Sequence, residues 1–311
     1  MLYHVKGKMP TWKERGRSCD DWIIILHFLT MAQLPWEVVE QIIDDVAAEY
    51  HEPNIFQVYH NLKSCALVCH SFLPLCRKHI FAYVILNAHA PRHHTYPTSD
   101  DLNRLLSNSP HLAVYIRELK YHVSKKEFVV KRLPWLLAMF KKLVKLQKLT
   151  IRYSPSSRCK KLDWMSSFSR KVLLPLLHFP TLTGIRLSHI QNFPLADLAG
   201  CVNLKHLDIY FLEFSKDVGN FLEALPAAPA VLEWLAIVEG NVRSVQQLCH
   251  ARRPDGKPII DLSSLKEIRA VISRVDIMTE LFGMWRNLHK IKLSGMSLLT
   301  SVIHLTFTFV L

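Results

Sequence analysis

Hydrophobic positions along this chain follow two rhythms. Between residues 33 and 82 they recur at three- and four-residue spacing: Val38, Val39, Ile42, Ile43 and Val46, then Leu62, Ala66, Leu67, Val68, Phe72 and Leu73. That spacing predicts a helix over 33–50 and a second helical stretch over 60–82. Leu34-Pro35 opens the first helix. A proline in the first turn costs no hydrogen bond and leaves an apolar corner exposed. Two short helices cannot bury this much apolar surface against each other, so the rest of the chain or a partner must cover part of it.

From about residue 111 the rhythm changes. Six segments fit the template L-x-x-L-x-L with aliphatic substitutions: Leu146-Leu149-Ile151, Leu182-Ile185-Leu187, Leu204-Leu207-Ile209, Leu232-Leu235-Ile237, Leu265-Ile268-Ala270 and Leu288-Ile291-Leu293. A degenerate copy, Ile116-Leu119-Tyr121, precedes them. First members lie 30, 36, 22, 28, 33 and 23 residues apart. The last two members of each group point the same way from a short strand, and the first packs at the turn before it. One such unit cannot bury its face alone, whereas a stack of them builds a parallel sheet closed by helices. The longer gaps carry helical patterns at 164–177, 218–225, 242–249 and 277–282. Irregular leucine-rich repeats are the expectation, and an ordinary α/β domain with parallel strands is the alternative.

Between these regions, residues 87–99 (NAHAPRHHTYPTS) read as a linker, and Asp100 and Asp101 as candidate caps for a helix through Leu102, Leu105 and Leu106. The expected organisation is an uncertain extension over 1–30, a helical unit over 31–86, a linker and helix over 87–110, and the repeat domain over 111–311. Met31 reads as a natural start. The uncharged stretch 297–311 reads as a last strand or as an aggregation-prone tail.

Composition narrows the function classes. Half of the 311 residues are apolar and 21% are charged, as in a globular chain with a sizeable core. The formal charge is +13, but the basic residues come in short pairs (Lys125-Lys126, Lys141-Lys142, Lys160-Lys161) rather than one block. A basic solvated surface is therefore favoured over a nucleic-acid track. Seven cysteines without a C-x-x-C pair fit buried thiols in a reducing compartment, cytosolic or nuclear. The apolar run at 22–29 is too short to span a bilayer.

Signals for catalysis are missing. No two of the nine glycines lie within four residues of each other, which excludes a phosphate-cradling glycine loop. His51-Glu52 starts like a zinc-protease motif, but position 55 is isoleucine. Cys65, Cys69, His70, Cys76 and His79 raise a zinc site, and a core thiol cluster is the favoured reading. His89, His93 and His94 read as an exposed loop rather than a metal tract. No cofactor and no metal are expected.

Leu34-Pro35 with V-V-E-Q-I-I, then L-K-S-C-A-L-V-C-H-S-F and Arg77-Lys78-His79-Ile80-Phe81, resembles the F-box. Phe72 stands where the family pattern has tryptophan, and the gap at 51–61 is longer than in the compact form. Ser109-Pro110-His111-Leu112 and Tyr115-Ile116-Arg117-Glu118-Leu119 add a likeness to F-box proteins of mushroom-forming fungi. The likeness covers about fifty residues strongly and another thirty suggestively. It implies an α/β architecture with a short helical F-box unit followed by an irregular leucine-rich-repeat solenoid, its helices on the convex side. It also implies a non-catalytic substrate receptor that docks on a Skp-family adaptor, and through it a cullin, in a ubiquitin ligase. Leu34, Pro35, Val38, Ile42, Leu62, Leu67, Val68 and Phe72 would lie on or just behind the adaptor interface. For each, a core position in the helical unit is the plain alternative.

The substrate face is read from the strands. One column would be Thr150, Arg186, Asp208, Ala236, Arg269 and Lys292; the next, Arg152, Ser188, Tyr210, Val238, Val271 and Ser294. Arg152, Arg186, Tyr210, Trp234, Arg269 and Lys292 are the residue types that carry binding energy or recognise carboxylate and phosphate. They suggest an acidic or phosphorylated protein substrate, although alternation along a strand demands a polar side regardless. A repeat scaffold without a ligase role and a basic nucleic-acid-binding protein are the competing classes. Neither nucleic acid nor a membrane is expected as a partner.

Overall fold

The computed structural model describes residues 35–48, 55–87, 97–123, 133–153, 161–216, 225–238, 242–272, 290–296 and 302–308. The expectations for 1–30, Leu34, the histidines of the linker and the helical patterns at 218–225 and 277–282 lie outside these residues. The chain divides into two compact units, Met1–Phe81 and Ala82–Leu311.

The first unit has three helices: α1 (Trp36–Ala48), α2 (Ile55–Val68) and α3 (Phe72–Ile80). The carbonyl of Pro35 accepts from the N–H groups of Val38 and Val39, at 3.0 and 3.3 Å, and starts α1. From there Val39, Ile43, Val46 and Ala47 form one buried stripe. It meets Val58, Leu62 and Cys65 of α2 and Phe72 and Cys76 of α3 in a common core. The helical pattern over 60–82 is thus two helices, not one, and α2 begins earlier, at Ile55. Pro74 is the physical reason. Inside a continuous helix it would lack the N–H for the His70 carbonyl and clash with it. In the first turn of α3 it costs nothing, and Phe72 and Leu73 instead bond back to Cys69 and His70.

The second unit is built on a nine-stranded sheet. In sheet order its strands are β1 (Tyr83–Asn87), β2 (Glu118–Val123), β3 (Lys148–Tyr153), β5 (Gly184–Ser188), β7 (His206–Tyr210), β9 (Trp234–Val238), β11 (Glu267–Ile272), β12 (Lys290–Met296) and β13 (Val302–Thr308). Every neighbouring pair from β1 to β12 is parallel, and β13 runs antiparallel to β12. Two small parallel pairs accompany the sheet, β4 (Leu162–Asp163) with β6 (Ile190–Gln191), and β8 (Ala230–Val231) with β10 (Ile260–Asp261). The strand order follows the chain, so each crossover advances by one strand.

The L-x-x-L-x-L groups explain this regularity. Ile116, Leu146, Leu182, Leu204, Leu232 and Leu265 each sit two residues before a strand and are buried. The next members, Leu119, Leu149, Ile185, Leu207, Leu235 and Ile268, are buried within the strands. Backbone hydrogen bonding repeats with them. The carbonyls of Ala82, Arg117, Gln147, Thr183, Lys205 and Glu233 each accept from two successive N–H groups at the start of the next strand, at 2.7–3.3 Å.

Helices α4 (Ser99–Asn108), α5 (Leu133–Lys141), α6 (Ser167–Leu177) and α7 (Val242–His250) lie in the crossovers. α4 packs on α5 and α5 on α6, following the order of the strands. Tyr121, on the buried face of β2, meets Phe140 of α5 edge to face at 5.5 Å, so this helix covers the apolar face. The cap of α4 is Thr98, not Asp100 or Asp101: Thr98 accepts from the Asp101 N–H while Asp101 accepts from that of Thr98, a reciprocal box that Asp101 alone cannot make. The unit boundary falls after Phe81 rather than at 86, because Tyr83–Asn87 already pairs with β2. No helix among the described residues is long and apolar enough to cross a membrane.

Candidate functional site

Two surfaces carry the residues singled out above, one on each unit. On the helical unit, Pro35 is exposed, Trp36 and Val38 are 44% and 41% exposed, and Leu67 near the end of α2 is 87% exposed. Ile42 and Val68 are half-buried, while Leu62 and Phe72 belong to the unit's core. Leu62 and Phe72 are therefore core positions, whereas Pro35, Val38 and Leu67 are exposed to solvent. Trp36 is an exposed apolar residue that the spacing argument passed over.

The cysteine and histidine cluster resolves into separate roles. Cys65 and Cys76 are buried together in the core of the helical unit. His79 turns to α1, its Nε2 lying 2.6 Å from Asp44 Oδ1, and Lys78 Nζ adds a 3.2 Å contact to the same carboxylate. Burial works against the Asp44 charge, but hydrogen bonds from His79 and Lys78 hold its carboxyl below the ordinary value. This clasp ties α3 to α1. Among the described residues no group of histidine, cysteine or carboxylate side chains is arranged to hold a metal ion.

On the sheet, alternation sets the polar positions of the strands on the face opposite to the one where Tyr121 and Phe140 pack. Its rows run across the strands in register. One row is Lys120, Thr150, Arg186, Asp208, Ala236, Arg269 and Lys292. The next is His122, Arg152, Ser188, Tyr210, Val238, Val271 and Ser294. The columns expected from the sequence are these rows, extended to β2.

Four of the six candidate residues come together around a carboxylate. Asp208 accepts from Arg186 Nε at 2.8 Å and from Trp234 Nε1 at 3.0 Å. The Arg186 guanidinium also lies over the Tyr210 ring, and that of Arg269 over the Trp234 ring, each 5.3 Å from the ring centre. Lys292 is the backbone neighbour of Arg269 on β12. Arg152 stands apart, exposed on β3. In the sequence columns Asp208 stands without an assigned role. Its importance depends on cross-strand distances that spacing along the chain does not carry.

At the start of the strands, Glu233 accepts from Lys266 at 2.6 Å and from Lys205 at 3.0 Å, and these hydrogen bonds pull its carboxyl down to about 2. At the other end of the rows, burial and then the charges of Lys120 and Arg152 push His122 down to about 4. His189 and Phe211, just past β5 and β7, both adopt left-handed backbone conformations, with φ of 59° and 50°, and their rings stack 4.6 Å apart. The arrangement offers cations, hydrogen-bond donors and aromatic faces, which suits binding of an anionic or polar partner. No family model matches the chain, and no curated protein matches it significantly.

Proposed function

We propose that this protein is the substrate-recognition subunit of a Skp–cullin–F-box ubiquitin ligase. The helical unit docks on the Skp-family adaptor as an F-box, and the sheet unit, read as an irregular leucine-rich-repeat solenoid, presents a protein substrate. The role is non-catalytic and needs no cofactor. It places the chain in the cytoplasm or nucleus, where such ligases work.

The observation that carries the reading is the exposure of Leu67 at 87%, inside the segment that resembles the second F-box helix. A leucine so exposed on a unit that already has its own core is surplus to folding and suits a partner groove. Pro35, Trp36 and Val38 add apolar surface at the start of α1. The strand-by-strand advance of the sheet and the recurring buried triplets support the repeat reading of the second unit.

The test is co-expression with the host's Skp-family adaptor, scored by pull-down and size exclusion. Wild type is expected to form a stoichiometric complex. Pro35→Ala with Leu67→Asp should lose it while changing stability by no more than about 0.5 kcal/mol, as usual for exposed positions. Leu62→Ala, a core truncation, should instead destabilise the helical unit by about 2–5 kcal/mol. A folded wild type that forms no complex would overturn the reading and leave a repeat scaffold without a ligase role.

A further inference from the structure

Turns of one kind precede several strands of the sheet. In each, a carbonyl accepts from the N–H three residues on: Ala113 from Ile116, Leu143 from Leu146, Phe179 from Leu182, Cys201 from Leu204 and Leu262 from Leu265, at 3.0–3.3 Å. The closing residue is the buried first member of a triplet, and the residue after the carbonyl stands at the tip. The tips are Val114, Val144, Pro180, Val202 and Ser263. Val144 is 57% exposed, and Val114, Pro180 and Val202 are exposed too. Turn tips ordinarily carry glycine, proline or small polar residues. Ser263 is such a residue, so the turn itself does not require valine. The turns before β2, β3, β5 and β7 are neighbours, because those strands pair in that order. Thr181 Oγ1 donates to the Leu146 carbonyl and Asn203 Nδ2 to that of Pro180, at 2.6 Å each, which fastens three of the turns side by side. At a strand spacing of about 4.8 Å, the four apolar tips form a row about 15 Å long.

Cations stand around this row. Lys141 and Lys142 lead into the turn that carries Val144, and Lys145 follows the valine. Arg117 is on the next chain segment, its carbonyl accepting from the N–H groups of Gln147 and Lys148 at 2.7 and 2.9 Å. Arg117, Lys141 and Lys145 are exposed and Lys142 is half-buried, and no carboxylate among the described residues pairs with any of the four. Along the chain they are one pair and two single residues; the fold gathers them. Exposed apolar side chains rimmed by uncompensated cations suit a partner that is apolar within and anionic at its surface. We propose that this rim docks peripherally on an anionic lipid bilayer. The valine tips enter the headgroup boundary while the four cations meet the negative headgroups. For this rim alone, the proposal replaces the sequence expectation of no membrane partner. Protruding tips fit a planar, deformable surface better than a peptide, which needs a groove or a strand edge. A nucleic-acid strand would use the cations but leave the valines in water. The rim belongs to the sheet unit, and its docking needs neither the adaptor nor the ligase reading.

The test is co-sedimentation of the full-length protein with vesicles of phosphatidylcholine containing about 30% phosphatidylserine, beside vesicles of phosphatidylcholine alone. Binding is expected to the anionic vesicles and not to the neutral ones, and to weaken as salt is raised. Lys141→Gln with Lys145→Gln should lower the affinity about tenfold. Val144→Ser with Val202→Ser keeps every charge and should still lower it about fivefold, through the lost apolar insertion. Arg152→Gln removes a charge from the polar face instead and should change the affinity less than about twofold. All these positions except the core are exposed, and circular dichroism checks that each variant folds. No binding to the anionic vesicles overturns the proposal. A loss from Arg152→Gln as large as that from the lysine pair also overturns it, since the attraction would then belong to the net charge. Vesicle affinity untouched by the serine variants overturns it in favour of a purely anionic partner such as single-stranded nucleic acid.

Discussion

Trp164 donates its indole N–H to the buried carboxylate of Asp197 at 2.7 Å, across 33 residues of chain. Arg170 of α6 closes on the same carboxylate through Nε at 3.0 Å and Nη2 at 2.7 Å. A single acidic side chain thus joins β4's exit, a helix and the short 3-10 turn at Leu195–Leu198. Asp197→Ala would leave a buried indole donor unpaired and a partly buried guanidinium without its counter-charge. Arg170 is about one-third exposed, so water recovers part of the loss. A fall in unfolding free energy of about 2–4 kcal/mol is expected, measured by urea denaturation followed through tryptophan fluorescence. Unchanged stability would show that the carboxylate is not a structural tie.

Gly200 sits beside the same site. A Cβ there would lie 2.6–2.9 Å from the His178 ring, whose Nε2 bonds the Asp197 carbonyl at 2.8 Å. Gly200→Ala must therefore push His178 aside. A loss of about 1–3 kcal/mol is expected from the overpacking, and the His178→Ala background should abolish most of it. Equal losses in both backgrounds would point to backbone strain instead.

His122 makes folding pH-dependent. The charged and titratable groups facing it are Lys120 on its own strand and Arg152 on β3, while its β1 partner is the neutral Asn87. Burial first, then these two charges, hold its folded value at about 4, below the ordinary 6.5. The unfolded chain therefore binds the proton more readily, and stability drops as pH falls from about 6.5 towards 4. Above that window the residue is neutral in both states. The drop should flatten in His122→Gln, as seen in thermal melts across the range; parallel curves would count against a buried neutral imidazole.

Thiol accessibility divides the described cysteines. Cys65, Cys76 and Cys201 are buried, and burial pushes the Cys201 thiol well above its ordinary value. Cys69 and Cys249 are only partly covered. Under native conditions a thiol reagent followed by peptide mapping should label Cys69 and Cys249 first, with the other three reacting only on unfolding. Early labelling of Cys201 would mean that the turn beneath α6 opens in the native state.

What the sequence carried clearly was local and periodic. The triplets from Ile116 to Ile268 mark the buried side of each strand because one residue in two must face the core there. With that side known, the polar columns follow by alternation, and the pairing of Arg186 with Asp208 and of Arg269 with Lys292 is their register. Strand β1 was not legible: YVILN lacks the leading leucine and is identified by pairing with Glu118–Val123. The break between α2 and α3 depended on one proline within an otherwise helical pattern. The contacts of Asp197 and Asp208 each join residues more than twenty positions apart, so no spacing rule reports them. For the same reason the burial of His122 Nε2 without a hydrogen-bond partner is a property of the folded neighbourhood alone.

The six backbone carbonyls that each accept two N–H groups set how this protein tolerates change. Each one fixes where the next strand begins, whatever length of chain has intervened; the spacings of 22 to 36 residues show the latitude. Crossovers can therefore lengthen, shorten or be replaced without shifting the columns on the polar face. Insertions would remodel the helical side, while single substitutions at Arg152, Arg186 or Arg269 would change the charge pattern of the opposite face. The two sides of the sheet are free to diverge at different rates, one by length and the other by residue type.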